Sequence, residues 1–267
     1  MVCNGLFQKN DISEFSNLKM IQLISAGLDR VPLGEIKRRG IKLANAKGVY
    51  SIPMAEFVIL KILEIYKNSR FFEDAQKQST WIKNRELIEL NSKSVGIIGT
   101  GSIGIEIAKR AKAFGTKVIG LNTSGKDVRY FDECMVFSEL YKFLNICDVI
   151  VLSLPLTDKT KNIINKITLD HMKDDAVLIN VSRGGIVNES DLLNHLNKGK
   201  LRGIALDVFA EEPLPTQNPL WNHPRIIATP HNSYISDNVS NRLFELIYNN
   251  LKAFIENKTM NNEIEIL

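Results

Sequence analysis

Gly99-Thr100-Gly101-Ser102-Ile103-Gly104 has the spacing Gly-x-Gly-x-x-Gly and stands between a short apolar run, Ser94–Ile98, and a helical repeat of Ile103, Ile107, Ala108 and Ala111. That context gives each glycine a task. Gly99 permits a tight strand-to-helix turn, Gly101 lets the backbone approach a pyrophosphate, and Gly104 lets the helix pack close to the sheet. The helix start offers unpaired N–H groups and roughly half a positive charge to phosphates. The reading is dinucleotide binding, with a purely structural turn as the alternative. About twenty residues further on, where NAD sites carry a ribose-binding carboxylate, the chain has Leu121-Asn122-Thr123-Ser124-Gly125-Lys126, and Asp127 follows only later. No carboxylate repels a 2′-phosphate there. Asn122, Thr123 and Ser124 offer hydrogen bonds and Lys126 a charge, so NADP(H) is favoured over NAD(H).

A second set follows three expected strand ends: Arg183 after Ala176–Asn180, Glu212 after Gly203–Asp207, and His231 after Ile226–Ala228. In a parallel sheet the carboxyl ends share the edge where a dinucleotide lies, so the three can converge although distant in sequence. Without such company Arg183 is a surface ion-pair partner, Glu212 a turn residue beside Pro213, and His231 one of four ordinary histidines; His171, His195 and His223 keep that plain reading.

The elements that would position these groups alternate. Six short apolar runs, Ser94–Ile98, Lys117–Leu121, Asp148–Leu152, Ala176–Asn180, Gly203–Asp207 and Ile226–Ala228, are separated by helical stretches near 138–144, 165–172 and 189–197, the last with Asn188 as N-cap. Alternation of this kind predicts a parallel sheet covered on both faces. The flanks hold the strand Met20–Ile24, a candidate strand Lys42–Ala44, a mostly apolar helix Pro53–Tyr66, and a helix Asp237–Ile255 with Val239, Leu243, Phe244, Leu246, Ile247 and Leu251 on its apolar side. The chain has 267 residues and a net charge of +4. That charge is too mild to argue for nucleic acid, and the Lys37-Arg38-Arg39 cluster reads as a solvated helix end. Its apolar runs are too short to span a bilayer. Three cysteines in no metal spacing favour free thiols and a cytoplasmic setting, with no metal expected.

The sequence resembles the D-isomer-specific 2-hydroxyacid dehydrogenase family. The resemblance rests on GTGSIG (99–104), SLPLTDKT (153–160), INVSRGGIVNESDLLNHLNKGKLRGIALDVFAEEPLP (179–215) and NPLWNHPRIIATPHNS (218–233), with LKMIQLISAGLDRVPL (18–33) and residues 41–57 fitting in the amino-terminal part. It implies that Arg183 binds the substrate carboxylate and carbonyl oxygen, that His231 is the acid/base, and that Glu212, placed directly before the proline unlike Glu211, holds the imidazole and favours its protonated form. It implies that Asp207 orients the nicotinamide carboxamide. It extends the dinucleotide site to Leu154, Pro155, Thr160, Val181 and Ser182, along with Arg183 and His231. Ser25-Ala26-Gly27 matches a loop whose backbone N–H groups grip the carboxylate, which makes Ala26 and Gly27 substrate-binding positions.

The expected architecture is α/β: a Rossmann-type doubly wound parallel sheet at 71–233, with a smaller, split flavodoxin-like substrate domain at 1–70 and 234–267. Relatives begin with a strand and helix upstream of Met1–Gly5, so the small domain is expected to lack one βα unit. The expected activity is hydride transfer between a nicotinamide and C2 of a small 2-oxoacid or D-2-hydroxyacid, of hydroxypyruvate, glyoxylate or 3-phosphoglycerate type. The alternative is a catalytically weak or inactive dinucleotide-binding regulatory protein of the same fold. The resemblance also implies a homodimer involving the 53–66 helix.

Overall fold

Two stretches far apart in sequence share one core: Met1–Ser51 clusters with the residues from Tyr234 onward, while Ile52–Ser233 forms a second unit. These features come from a computed structural model that describes residues 1–266. In the small unit, β1 (Val2–Cys3), β2 (Met20–Leu23), α1 (Leu33–Arg38) and β3 (Lys42–Ala44) form a three-stranded parallel sheet, ordered β1-β2-β3, with one crossover helix. Ile12, Ile21, Leu23, Ile36, Ile41 and Leu43 make its core. The basic cluster does end a helix, but Arg39 is not merely solvated. Its guanidinium donates to the carbonyls of Ile12 and Phe15, both at 2.7 Å, which ties the chain before β2 to α1.

Helices α2 (Ser51–Tyr66) and α3 (Ser69–Lys77) follow. The boundary expected at residue 70 falls at residue 51 instead. Packing explains the difference. The Ile65 side chain lies 2.8 Å from where a Cβ on Gly203 would stand, Ile88 N–H donates to Tyr66 O at 3.0 Å, and Arg70 donates to Ile226 O at 2.6 Å. Each of those contacts joins 52–70 to the large unit.

The large unit continues with β4 (Ser94–Ile98), α4 (Ser102–Ala113), β5 (Lys117–Asn122), β6 (Glu133–Val136), α5 (Leu140–Ile146), β7 (Val149–Leu152), α6 (Lys166–Asp170), β8 (Val177–Asn180), α7 (Glu189–Asn197), β9 (Gly203–Leu206) and β10 (Ile226–Ala228). The strands run parallel in the order β10-β9-β8-β7-β4-β5-β6. This is the doubly wound Rossmann-type sheet, with seven strands rather than six. The added one, β6, pairs with β5 at the sheet edge, where a strand needs no apolar run, and its Glu133 is exposed. Strands β7, β8 and β9 are buried along their whole length, as strands covered on both faces must be. Ile98, Leu121, Phe143, Leu152, Leu178 and Ile204 belong to one continuous apolar core.

Helix α8 (Val239–Ile255) returns to the small unit. Phe244 and Leu251, expected on its apolar side, are exposed, and Asn250 is the residue it buries completely. The helix is oriented by that amide. Asn250 Nδ2 donates to Gln22 Oε1 at 2.6 Å and to Asn261 O at 2.9 Å, and Asn250 Oδ1 accepts from Asn261 N–H at 2.7 Å. Among the described residues no helix is long and apolar enough to cross a membrane.

Candidate active site

Seven segments of the large unit leave the carboxyl ends of its strands, and the sheet order turns back between β4 and β7. A crevice at such a switch point is where open α/β sheets bind ligands. The loop after β4 is Gly99–Gly104. Gly99 has φ +99°, and a Cβ on Gly104 would lie 2.2 Å from Gly99 O, so both positions require glycine. Gly101 caps α4 with no side-chain hydrogen bond, and nothing lies within 4 Å of where its Cβ would be. The first N–H groups of α4, from Ser102, Ile103 and Gly104, have no carbonyl partner within the helix.

The loop after β5 holds Asn122, Thr123, Ser124 and Lys126. The Asn122 amide is committed within it: Oδ1 accepts from the N–H groups of Ser124 and Gly125 at 3.0 and 2.7 Å, and Nδ2 donates to Thr100 Oγ1 and Lys126 O, both at 3.2 Å. Asn122 thus shapes the turn and links it to the phosphate loop. Thr123 and Lys126 are exposed. After β7, Leu154 is buried, and Thr160 Oγ1 closes the next turn on Pro155 O at 2.7 Å.

After β8, Val181 and Ser182 are buried. Asn180 organises this loop. Its Oδ1 accepts from the Ser182 N–H and hydroxyl at 3.0 and 2.7 Å, and its Nδ2 donates to Arg183 O at 3.0 Å. A Cβ on Gly184 would fall 1.8 Å from the Phe209 carbonyl carbon, so the Arg183 loop lies directly on the loop that carries Glu212.

Glu212 and His231 meet. Glu212 Oε2 is 2.9 Å from His231 Nδ1, while Oε1 accepts the Phe209 N–H at 3.1 Å. His231 has φ +50°, a conformation that costs a non-glycine residue energy and persists only where surroundings enforce it. Asp207, wholly buried, enforces it. Its backbone carbonyl accepts the His231 N–H at 2.8 Å, Oδ1 accepts Thr229 Oγ1–H and Asn232 N–H at 2.6 and 2.8 Å, and Oδ2 accepts Ser233 N–H at 2.9 Å.

Residues 59–233 match the profile described as the D-isomer specific 2-hydroxyacid dehydrogenase NAD binding domain. The chain belongs to that family. It is 32% identical to a hydroxypyruvate reductase of Blautia hydrogenotrophica, over 92% of this chain and 78% of that one. A D-isomer specific 2-hydroxyacid dehydrogenase family protein from Aeromonas salmonicida is similar in structure, with TM-score 0.89 and 34% identity over 100% of this chain and 84% of that one. An NADPH-dependent glyoxylate/hydroxypyruvate reductase from Sinorhizobium meliloti, solved with NADP and sulfate, gives TM-score 0.83 and 27% identity over 99% and 84%.

A dinucleotide, which this dehydrogenase family uses, fits the loop geometry: open space at Gly101 and an uncapped helix start are what a pyrophosphate fills. The small unit carries Ala26 and Gly27 in the bend after β2. Asn180 and Thr229 were not signalled by the sequence. Asn180 acts through local bonds within its own loop and Thr229 through a tertiary bond to Asp207, and residue type alone announces neither.

Proposed function

We propose that this 2-hydroxyacid dehydrogenase reduces a small 2-oxoacid of the glyoxylate or hydroxypyruvate type, with NADP(H) preferred. The Glu212–His231 contact carries the reading. With Nδ1–H donated to the carboxylate, proton exchange falls to Nε2, and His231 protonates the carbonyl oxygen of the substrate. A carboxylate partner fixes the orientation and tautomer of the ring. Arg183 holds the substrate carboxylate and carbonyl oxygen with a planar fork that stays charged at every working pH. Asp207 keeps the His231 loop in its strained form. In the family reading its carboxylate also meets the nicotinamide carboxamide. Gly99–Gly104, Leu154, Pro155, Thr160, Val181 and Ser182 would hold the dinucleotide, which when bound supplies the hydride for C2.

Support for NADP(H) comes from the loop after β5. It has no carboxylate at the strand end, and Lys126 is exposed with no ion pair among the described residues. With Asn122 engaged in the turn, recognition of a 2′-phosphate falls to Thr123, Ser124 and Lys126. Three free cysteines suit a cytoplasmic setting. A homodimer would cover the apolar surface of Phe72, Trp81 and Ile82, of which Trp81 is 96% exposed; sedimentation velocity measures that directly.

The deciding experiment follows nicotinamide absorbance with NADPH or NADH and a series of 2-oxoacids, wild type beside His231→Ala. The expected result is NADPH-preferring turnover that falls about 10²–10⁴-fold in the variant while cofactor binding persists. Full activity in His231→Ala removes this mechanism. Cofactor binding with no turnover on any 2-oxoacid favours the regulatory alternative.

A further inference from the structure

Strand β2 ends at Leu23, and the next three carbonyls are all held by the segment that follows β3. The Tyr50 hydroxyl donates to Ile24 O, Ala46 N–H donates to Ser25 O at 3.0 Å, and Asn45 Nδ2 donates to Ala26 O at 2.7 Å. In a trans peptide the N–H lies opposite the carbonyl of the preceding residue. Fixing carbonyls 24, 25 and 26 therefore fixes where the N–H groups of Ser25, Ala26 and Gly27 point. None of the three donates to a protein group among the described residues. Successive outward N–H groups form a concavity suited to a carboxylate.

Two of the three ties come from a backbone N–H and a hydroxyl. The third is a side-chain amide whose orientation is over-determined. Asn45 is 6% exposed, its Oδ1 accepts the Lys47 N–H at 3.1 Å, and Nδ2 is thereby turned onto Ala26 O. Asn262 braces the same segment, donating to Lys47 O at 2.8 Å and accepting the Asn45 N–H at 3.3 Å. We propose that Asn45 is a positioning residue for substrate recognition: by holding the Ala26 carbonyl it aims the Ala26 and Gly27 N–H groups at the carboxylate of the 2-oxoacid. The inference rests on the reductase reading above and adds to it a residue that would touch neither substrate nor cofactor.

The test compares wild type, Asn45→Ala and Asn45→Asp on glyoxylate and on its methyl ester, which lacks the carboxylate, with NADPH binding measured by fluorescence. In Asn45→Ala the KM for glyoxylate rises about tenfold with kcat within about twofold, the size expected for one hydrogen bond to a charged group. The preference for acid over ester falls by the same factor, and NADPH affinity is unchanged. A general loss of structure would lower acid and ester rates together and leave that preference intact. Asn45→Asp, of equal size, turns a donor into an acceptor facing Ala26 O and gives a larger loss; it carries the test if the alanine variant does not fold. An active wild type whose two variants keep the acid-to-ester preference overturns this inference alone. A wild type inert on every 2-oxoacid overturns the reductase reading and this inference with it.

Discussion

The two units differ in what their buried hydrogen bonds hold together. In the large unit Asn180, Ser182 and Asp207 are buried at the carboxyl edge of the sheet, where they shape the site, His195 is buried in α7, and β7, β8 and β9 are apolar throughout apart from that edge. In the small unit two buried amides sit inside the scaffold, Gln22 in the middle strand and Asn250 in α8, and bond to each other, while Asn45 is buried in the segment after β3. A seven-stranded sheet covered on both faces has enough apolar area to hold itself. A three-stranded sheet has less, and specific hydrogen bonds contribute more of its order. The large unit is therefore held by volume and the small unit by direction.

That contrast breaks most visibly under core truncation. Phe143 is fully buried, and its ring lies against Gly96 in the central strand β4. Phe143→Ala is expected to cost about 3–5 kcal/mol, to lower the thermal midpoint, and to weaken NADPH binding through loss of the folded large unit. Asn250→Leu is expected to cost about 1–3 kcal/mol, because it leaves Gln22 Oε1 and the Asn261 backbone without their partner. Faster amide hydrogen exchange should then appear in β2 and α8, with NADPH affinity unchanged. Equal exchange changes across both units in the two variants would show that they unfold as one body and that the contrast has no energetic meaning.

Legibility followed the same division. The phosphate loop could be read because its spacing has a steric cause: a Cβ at Gly104 would strike Gly99 O. The Asn188 cap could be read because a short polar side chain before a helical repeat has one common use, and Asn188 Oδ1 does accept the Asp191 N–H at 3.1 Å. The apolar runs gave six of the seven strands, β10 at one edge among them. Edge strand β6 had no such run, and α3 buries no residue, so periodicity marked neither. The packed face of α8 was misjudged because an asparagine decides it. Asn45 and Asn122 show the limit in general: an amide says nothing in sequence about which distant carbonyl or loop it will hold.

The smallest effect concerns pH, and it sharpens the contrast because amides do not titrate. His195, in α7, is 6% exposed, and its Nδ1 lies 3.6 Å from Asp170 Oδ1. Burial holds its pKa below the ordinary 6.5, Lys198 and Lys200 push the same way, and the carboxylates of Asp170 and Asp174 only partly oppose them. The unfolded chain therefore takes up a proton more readily than the folded one. Stability tied to this residue is intact above the unfolded value and is lost as pH falls through it towards the folded value. Between about pH 7.5 and about pH 5.5, wild type should lose more of its urea midpoint than His195→Leu, since the variant has no imidazole to protonate. Hydrogen exchange should place that difference in α7 and its neighbours in the large unit, with β2 and α8 unaffected. An identical pH response in the two proteins would mean that His195 is solvated in the native state as freely as in the unfolded chain.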